Sequence, residues 1–230
     1  MIIRQLFDHD TFTYTYLIAD ENARKAALID PVDTKLELYL RLLEELNLTL
    51  VAALDTHVHA DHITALGALR EQTGCDSCIG KQSKVDCASR LLTDGDEIEV
   101  GDLVLQALYT PGHTDDSYCF YLSAESTLFT GDTLLIRGSG RTDFQNGDPE
   151  QLYHSLYSKL LALPDETLVY PGHDYQGLSQ STLLEEQRNN PRLQCINQSE
   201  FIEMMNALKI PQPKHIHIAV PANRACGQRS

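Results

Sequence analysis

The sequence predicts an α/β fold with a short helical C-terminal appendage, and three observations carry that expectation. In the first third, runs of β-branched, aromatic and aliphatic residues alternate with helical periodicity; the middle third reads mostly as strand; the end returns to helical spacing. The chain has 230 residues, 42% of them hydrophobic and 22% charged, an ordinary globular composition. A chain of this length can bury a sizeable core without cross-links. It reads as one domain over 1–230, with a core over about 1–177 and the appendage over about 178–230.

Taken in order, 2–7, 13–18 and 26–29 are short strands separated by Asp, Asn and Glu breakers. Thr34-x-x-Glu37 has the form of a capping box. Leu36, Tyr39, Leu40, Leu43 and Leu46 recur behind it at helical spacing, which predicts a helix over 35–46. The continuous apolar run 50–54 suits a strand buried on both faces. Polar residues 55–62 follow, then a helix over about 63–72 stopped near Gly74. Strands 97–100 and 103–109 flank a Gly101-Asp102 turn, and 117–122 and 127–129 form another pair. Asp148-Pro149 offers an N-cap and a first-position proline to a helix with Leu152, Leu156 and Leu160 on one stripe, ending before Pro164. A strand at 167–170, helices at about 180–189 and 199–208, and a closing strand at 216–220 complete the reading. The Pro-rich stretch 211–213 is too short to separate domains.

Charge and cysteine usage bound the function. With 18 Lys and Arg against 33 Asp and Glu, the net charge is −15, a field that repels phosphate backbones and anionic lipid. Nucleic acid and membrane are therefore not expected as partners, and an anionic small substrate would need a local basic group. The first residues carry neither a secretory nor a transit pattern, so a cytoplasmic protein is expected. The six cysteines follow no repeating framework and read as reduced thiols, with Cys75-x-x-Cys78 incidental.

Four polar clusters each follow a predicted strand: 55–62, 110–114, 131–133 and 171–175. In layered α/β folds, sites collect beyond the carboxyl ends of strands. Five of the nine histidines fall in these clusters, with Asp61 and Asp132 beside them, a donor set suited to a metal that prefers nitrogen and oxygen. His57 and His59, two apart, would share one side of an extended segment, which Asp61 continues. His9, His154, His215 and His217 read as solvated or packing residues.

His57-x-His59-x-Asp61-His62, followed by His113, Asp132 and His173, resembles the motif of the metallo-β-lactamase superfamily. The resemblance covers about residues 1–175 and implies an αββα sandwich with metal in a cleft at one edge. In the binuclear scheme common among its hydrolases, His57, His59 and His113 would hold one metal, Asp61, His62 and His173 the other, and Asp132 would bridge.

The later segments narrow this. Residues 134–147, 152–155 and 170–175, together with Pro221-Ala222-Asn223-Arg224-Ala225-Cys226-Gly227, resemble the persulfide dioxygenases, the family of the ethylmalonic encephalopathy protein. That resemblance implies a mononuclear non-haem Fe(II) enzyme, one iron per subunit, held by His57, His113 and Asp132, with zinc an alternative occupant on purification. Its substrates would be glutathione persulfide and O₂, its products sulfite and glutathione, its place sulfide oxidation, and its assembly a homodimer. His59, Asp61, His62 and His173 would then stand around the iron without binding it, or serve as ligands to a second metal. Arg141, Tyr175 and Cys226 match positions near the family's cleft. Arg141 is a fork that can grip a carboxylate, or a structural partner of Asp143; Arg137 reads as structural. The alternative is a glyoxalase II-like binuclear hydrolase of S-acylglutathione thioesters. A non-enzymatic metal-binding or sensing protein on the same scaffold is the weakest of the three readings.

Overall fold

In the computed structural model, which describes residues 1–211 and 214–228, two six-stranded sheets pack face to face with helices on both outer surfaces. The first sheet contains β1 (Ile2–Asp8), β2 (Thr13–Asp20), β3 (Lys25–Ile29), β4 (Thr49–Leu54), β5 (Asp76–Gly80) and β6 (Arg90–Leu92), in sequence order. Its first two pairings are antiparallel, and those from β3 to β6 are parallel. The second sheet runs in reverse sequence order across β7 (Glu97–Val100), β8 (Leu103–Tyr109), β9 (Tyr118–Leu122), β10 (Thr127–Gly131), β11 (Leu168–Pro171) and β12 (Ser181–Thr182). It is antiparallel except between β10 and β11.

Period-two alternation builds three apolar layers. Along β2, Tyr14, Tyr16 and Ile18 face the second sheet, where they meet Phe120, Leu122 and Phe129, while Leu17 and Ala19 face outward. Those outward side chains are covered by α1 (Leu36–Glu45) and α2 (Leu66–Thr73), through Tyr39, Leu43, Leu66 and Leu69. On the other side, Cys119, Tyr121 and Leu128 are covered by α3 (Pro149–His154), α4 (Leu183–Asn189) and α5 (Gln198–Asn206). The predicted stripe of Leu152, Leu156 and Leu160 is buried in this layer, although the chain passes from α3 into a π turn at Ser155–Lys159 and a 3-10 turn at Leu160–Ala162. The result is the αββα sandwich. No helix among the described residues is long and apolar enough to cross a membrane.

Several local expectations hold. Asp148 caps α3, accepting the N–H groups of Glu150 and Gln151, with Pro149 in the first turn. Gly74 ends α2 in the left-handed conformation. Others are corrected. The Thr34–Glu37 capping box does not form, because a 3-10 turn at Asp33–Lys35 precedes α1 and its N-cap, Lys35, makes no side-chain cap. Strands β5 and β6 were not anticipated, being short and mixed in polarity. The closing strand expected at 216–220 is a helix, α6 (Ile216–Arg224): Ala219, Ala222 and Asn223 are buried on one face at helical spacing, while Ile218 is 62% exposed. Residues 212–213 of the Pro-rich stretch lie outside the described residues.

The expectation that the cysteines are reduced thiols fails at one pair: Cys87 and Cys226 form a disulfide across 139 residues of sequence. Cys75, Cys78, Cys119 and Cys195 are free, and Cys75 and Cys78 point into different apolar layers.

One buried hydroxyl ties α1 to the strand ends. Thr15 Oγ1 donates to Asp30 O, so the Tyr39 hydroxyl donates to Thr15 Oγ1 (2.9 Å) and accepts the Val32 N–H (3.0 Å). Tyr39→Phe is expected to cost about 1–3 kcal/mol, because it leaves a buried N–H unpaired. The measurement is a lowered denaturant midpoint at unchanged slope.

Candidate metal centre

β4, β8, β10 and β11 end at Leu54, Tyr109, Gly131 and Pro171, so the four polar clusters emerge where the sequence places them. Backbone bonds lock them together: Tyr118 N donates to Thr56 O and Gly172 N to Gly131 O, each at 2.8 Å, and Gly140 N donates to Asp132 O at 2.7 Å. Gly131 has a φ of +48°, and a Cβ there would lie 2.6 Å from Thr56 Oγ1. Only glycine lets this strand end pass so close to the loop before it. The clusters line a cleft of about 310 Å³ containing His57, Asp61, His113, Asp132, His173 and Tyr175. Leu135, Phe144 and Ile210 supply apolar wall.

Within it, His57, His113 and Asp132 each present a ligand atom within 4.8 Å of the others. Neighbouring groups set which atoms these are. His113 Nδ1 donates to Arg141 O at 2.7 Å, leaving Nε2 as the lone pair. The Thr56 hydroxyl donates to Asp30 Oδ2, so its oxygen accepts the Nδ1–H of His57 at 3.0 Å and again leaves Nε2. Asp132 Oδ1 accepts His173 Nδ1–H at 2.6 Å, while Oδ2 lies 3.5 Å from His113 Nε2. Metal–donor bonds of about 2.1 Å place adjacent ligand atoms roughly 3 Å apart, so this donor set fits a transition metal with little movement.

Electrostatics agree with that use. Burial, reinforced by the imidazoles of His59 and His113, holds His57 well below the ordinary histidine range and keeps it neutral. Burial would raise the Asp132 carboxyl, but His173, by charge and hydrogen bond, holds it below the usual carboxylate range. Burial likewise opposes charge on His173, yet Asp132 and Asp61 outweigh it and hold that imidazole well above its ordinary value.

A second group, His59, Asp61 and His62, also brings three ligand atoms within 4.8 Å of one another. His173, which would join it in a binuclear scheme, has both ring nitrogens engaged, Nδ1 with Asp132 and Nε2 with Asp61 Oδ2 at 3.0 Å. His59 Nε2 pairs with Asp30 Oδ1 at 3.1 Å; burial works against its charge, but Asp30 pushes its pKa up to about 9. His59 Nδ1 and His62 Nε2 are buried without hydrogen-bond partners. Asp30, Asp55 and His59 form a third such group, enclosed behind the cleft, where burial pushes the Asp55 carboxyl up to about 8.

The remaining expected residues divide. Arg141 lines the cleft, but Nε and Nη2 grip Asp143 at 2.6 and 2.7 Å. Tyr175 stands at the cleft 67% exposed, its ring stacked parallel to His173 at 6.2 Å. Cys226 is not among the residues lining the cleft; it packs with Val58, Ile79 and Val85, its sulfur bonded to Cys87. Arg137 pairs with Glu185 and Glu186, as a structural residue would. His9 and His154 contact the rings of Phe7 and Tyr153, and His215 and His217 are exposed.

Asp30, Thr56, Thr13 and Asn223 also serve the centre; Thr56 and Asn223 lie in stretches the sequence marks, but it assigns none of the four a role. Asp30 follows β3 directly, so the strand-end rule that found the histidines could have found it. Thr13, whose hydroxyl lies 3.2 Å from His173 Nε2, and Asn223 give no local signal of a role.

The Metallo-beta-lactamase superfamily profile matches residues 10–86 and 88–173. The chain is 46% identical to the protein named Persulfide dioxygenase ETHE1, mitochondrial, of Bos taurus, over 99% of this chain and 89% of that one. It is 45% identical to the human protein of that name, with the same coverage. The crystal structure of ETHE1 from Myxococcus xanthus superimposes with a TM-score of 0.96 at 55% identity, covering 99% of this chain and all of the other.

Proposed function

The chain belongs to the metallo-β-lactamase superfamily and, within it, to the persulfide dioxygenases, and from that premise we propose that it oxidises glutathione persulfide with O₂ to sulfite and glutathione. The observation that carries the reading is the likeness to persulfide dioxygenases along 99% of the chain. The convergence of His57, His113 and Asp132 in one cleft supports it.

In this reading His57 Nε2, His113 Nε2 and Asp132 Oδ2 would hold one ferrous iron. Bound there, iron supplies the O₂ chemistry that protein side chains lack. The chain's own groups do the rest. Arg141 O and the Asp30–Thr56 pair fix the two imidazole tautomers. His173, charged between Asp61 and Asp132, steadies the carboxylate and adds positive charge beside an anionic persulfide. Leu135, Phe144 and Ile210 exclude water from one wall. The overall balance is persulfide plus O₂ plus water giving thiol, sulfite and two protons, with two of the three sulfite oxygens from O₂. With isotopically labelled O₂, sulfite trapped as it forms is expected to carry two labelled oxygens; sulfite with one would overturn the dioxygenase stoichiometry.

The His59, Asp61 and His62 grouping favours a second reading, binuclear hydrolysis of S-acylglutathione thioesters. It predicts no O₂ uptake by iron-loaded protein given persulfide, and thioester turnover that scales with two metals per chain.

A further inference from the structure

Asn223, on α6, is 2% exposed and reaches the loop that carries the cleft histidines. Its Nδ2 donates to His59 O at 2.9 Å and His62 O at 2.8 Å, and its Oδ1 accepts the Thr64 N–H at 2.9 Å. Those three backbone groups bracket Asp61, whose carboxylate holds His173, which in turn holds Asp132. One amide in the C-terminal segment thus fixes the backbone on which this hydrogen-bonded chain hangs.

The helix bearing Asn223 is itself tied down. Gly67 N donates to Cys226 O at 3.0 Å, Gly227 lies so close to Thr64 O that a Cβ would clash with it, and Cys226 is bonded to Cys87 in the segment between β5 and β6. Cys226 is buried, whereas Cys87 is partly exposed, so Cys87 is the end of the bond nearer solvent.

We propose that Asn223 is a positioning residue for the metal centre and that the Cys87–Cys226 disulfide is its latch. With the bond intact, α6 holds loop 59–64 under His173; with it broken, the loop loosens and metal leaves more readily. A small thiolate opens the latch by attacking Cys87 Sγ, forming a mixed disulfide there and expelling the Cys226 thiolate. A second thiolate then displaces Cys87, so two thiols are oxidised to one disulfide as the two cysteines are reduced. The inference rests on the metal-centre reading above, but not on the identity of the substrate.

The test is anaerobic release of iron from the ferrous-loaded full chain to a chromogenic ferrous chelator, comparing the parent with Asn223→Asp and Cys87→Ser, well below their melting temperatures. Asn223→Asp keeps the acceptor for Thr64 N–H and loses both donors. Each variant is expected to release iron about tenfold faster, the lower end of what loss of an outer partner of a metal site costs. Cys195→Ser, at a free cysteine, is expected to match the parent. A purely structural role would lower the melting temperature and leave the release rate unmoved. Parental release from either variant overturns the proposal; if Asn223→Asp does not fold, Cys87→Ser alone decides it. A parent chain that retains no iron sinks the metal-centre reading itself, a separate and distinguishable outcome.

Discussion

Asp132→Asn is expected to leave less than about a tenth of the parental iron on the chain and to cut persulfide-dependent O₂ uptake by more than about a hundredfold, beyond the range for outer partners of a metal site. Asp132 divides its two oxygens, Oδ1 accepting from His173 and Oδ2 facing His113 Nε2. Asparagine preserves the shape and removes the charge. It also turns an amide N–H₂ toward one of the two sides, where it meets either the His173 Nδ1–H or the space a metal needs. The charged His173 then loses one of its two anions, and no carboxylate is left between it and the imidazoles of His57 and His113. Iron content by elemental analysis, with O₂ uptake on the same samples, checks this. Parental iron in the variant would remove Asp132 from the ligand set.

What the sequence made legible was local. The β-branched, aromatic and aliphatic run at 13–18 and the apolar run 50–54 mark strands, and the strand-end clusters report where polar side chains must emerge. Period and turn chemistry act over a few residues, and those expectations hold in the structure. The parts not legible are pairings between distant segments. His59 meets Asp30 across 29 residues, Asn223 meets Thr64 across 159, and Cys87 meets Cys226 across 139. No short-range pattern encodes such partners. The same holds for His173: its spacing after Pro171-Gly172 marks it as a ligand candidate, but only the folded chain brings carboxylates to both of its nitrogens. The 216–220 segment misled because Ile, Ile and Val alternate there, while the buried face belongs to Ala219, Ala222 and Asn223.

Arg141→Ala is expected to raise the KM for glutathione persulfide by about tenfold or more at unchanged iron content, the loss of one hydrogen bond to a charged group being worth about 1.5–3 kcal/mol. A guanidinium has five N–H donors. Here Nε and Nη2 hold Asp143, Nη1 donates to Pro211 O at 2.6 Å, and Nη2 donates to Ile210 O at 2.9 Å, with the group 4.5 Å above the Phe144 ring. Four donors are engaged, so an incoming carboxylate either takes the remaining Nη1–H or displaces Asp143. Displacement is open to Asp143, because its side chain is 56% exposed and the released carboxylate returns to water, while Arg141 itself stays largely buried at 12%. The two roles of Arg141 therefore part at its partner. If Arg141 receives substrate, Asp143→Ala frees the fork and lowers KM or leaves it unchanged, while Arg141→Ala raises it. If Arg141 is only a strut tying residues 210–211 to the wall of the cleft, removing either member loosens the same wall and both variants raise KM alike. Steady-state KM for the two single variants and the double variant, on protein of equal iron content, separates these outcomes, since a shared structural effect is non-additive and a substrate contact leaves the Arg141→Ala penalty intact in both backgrounds.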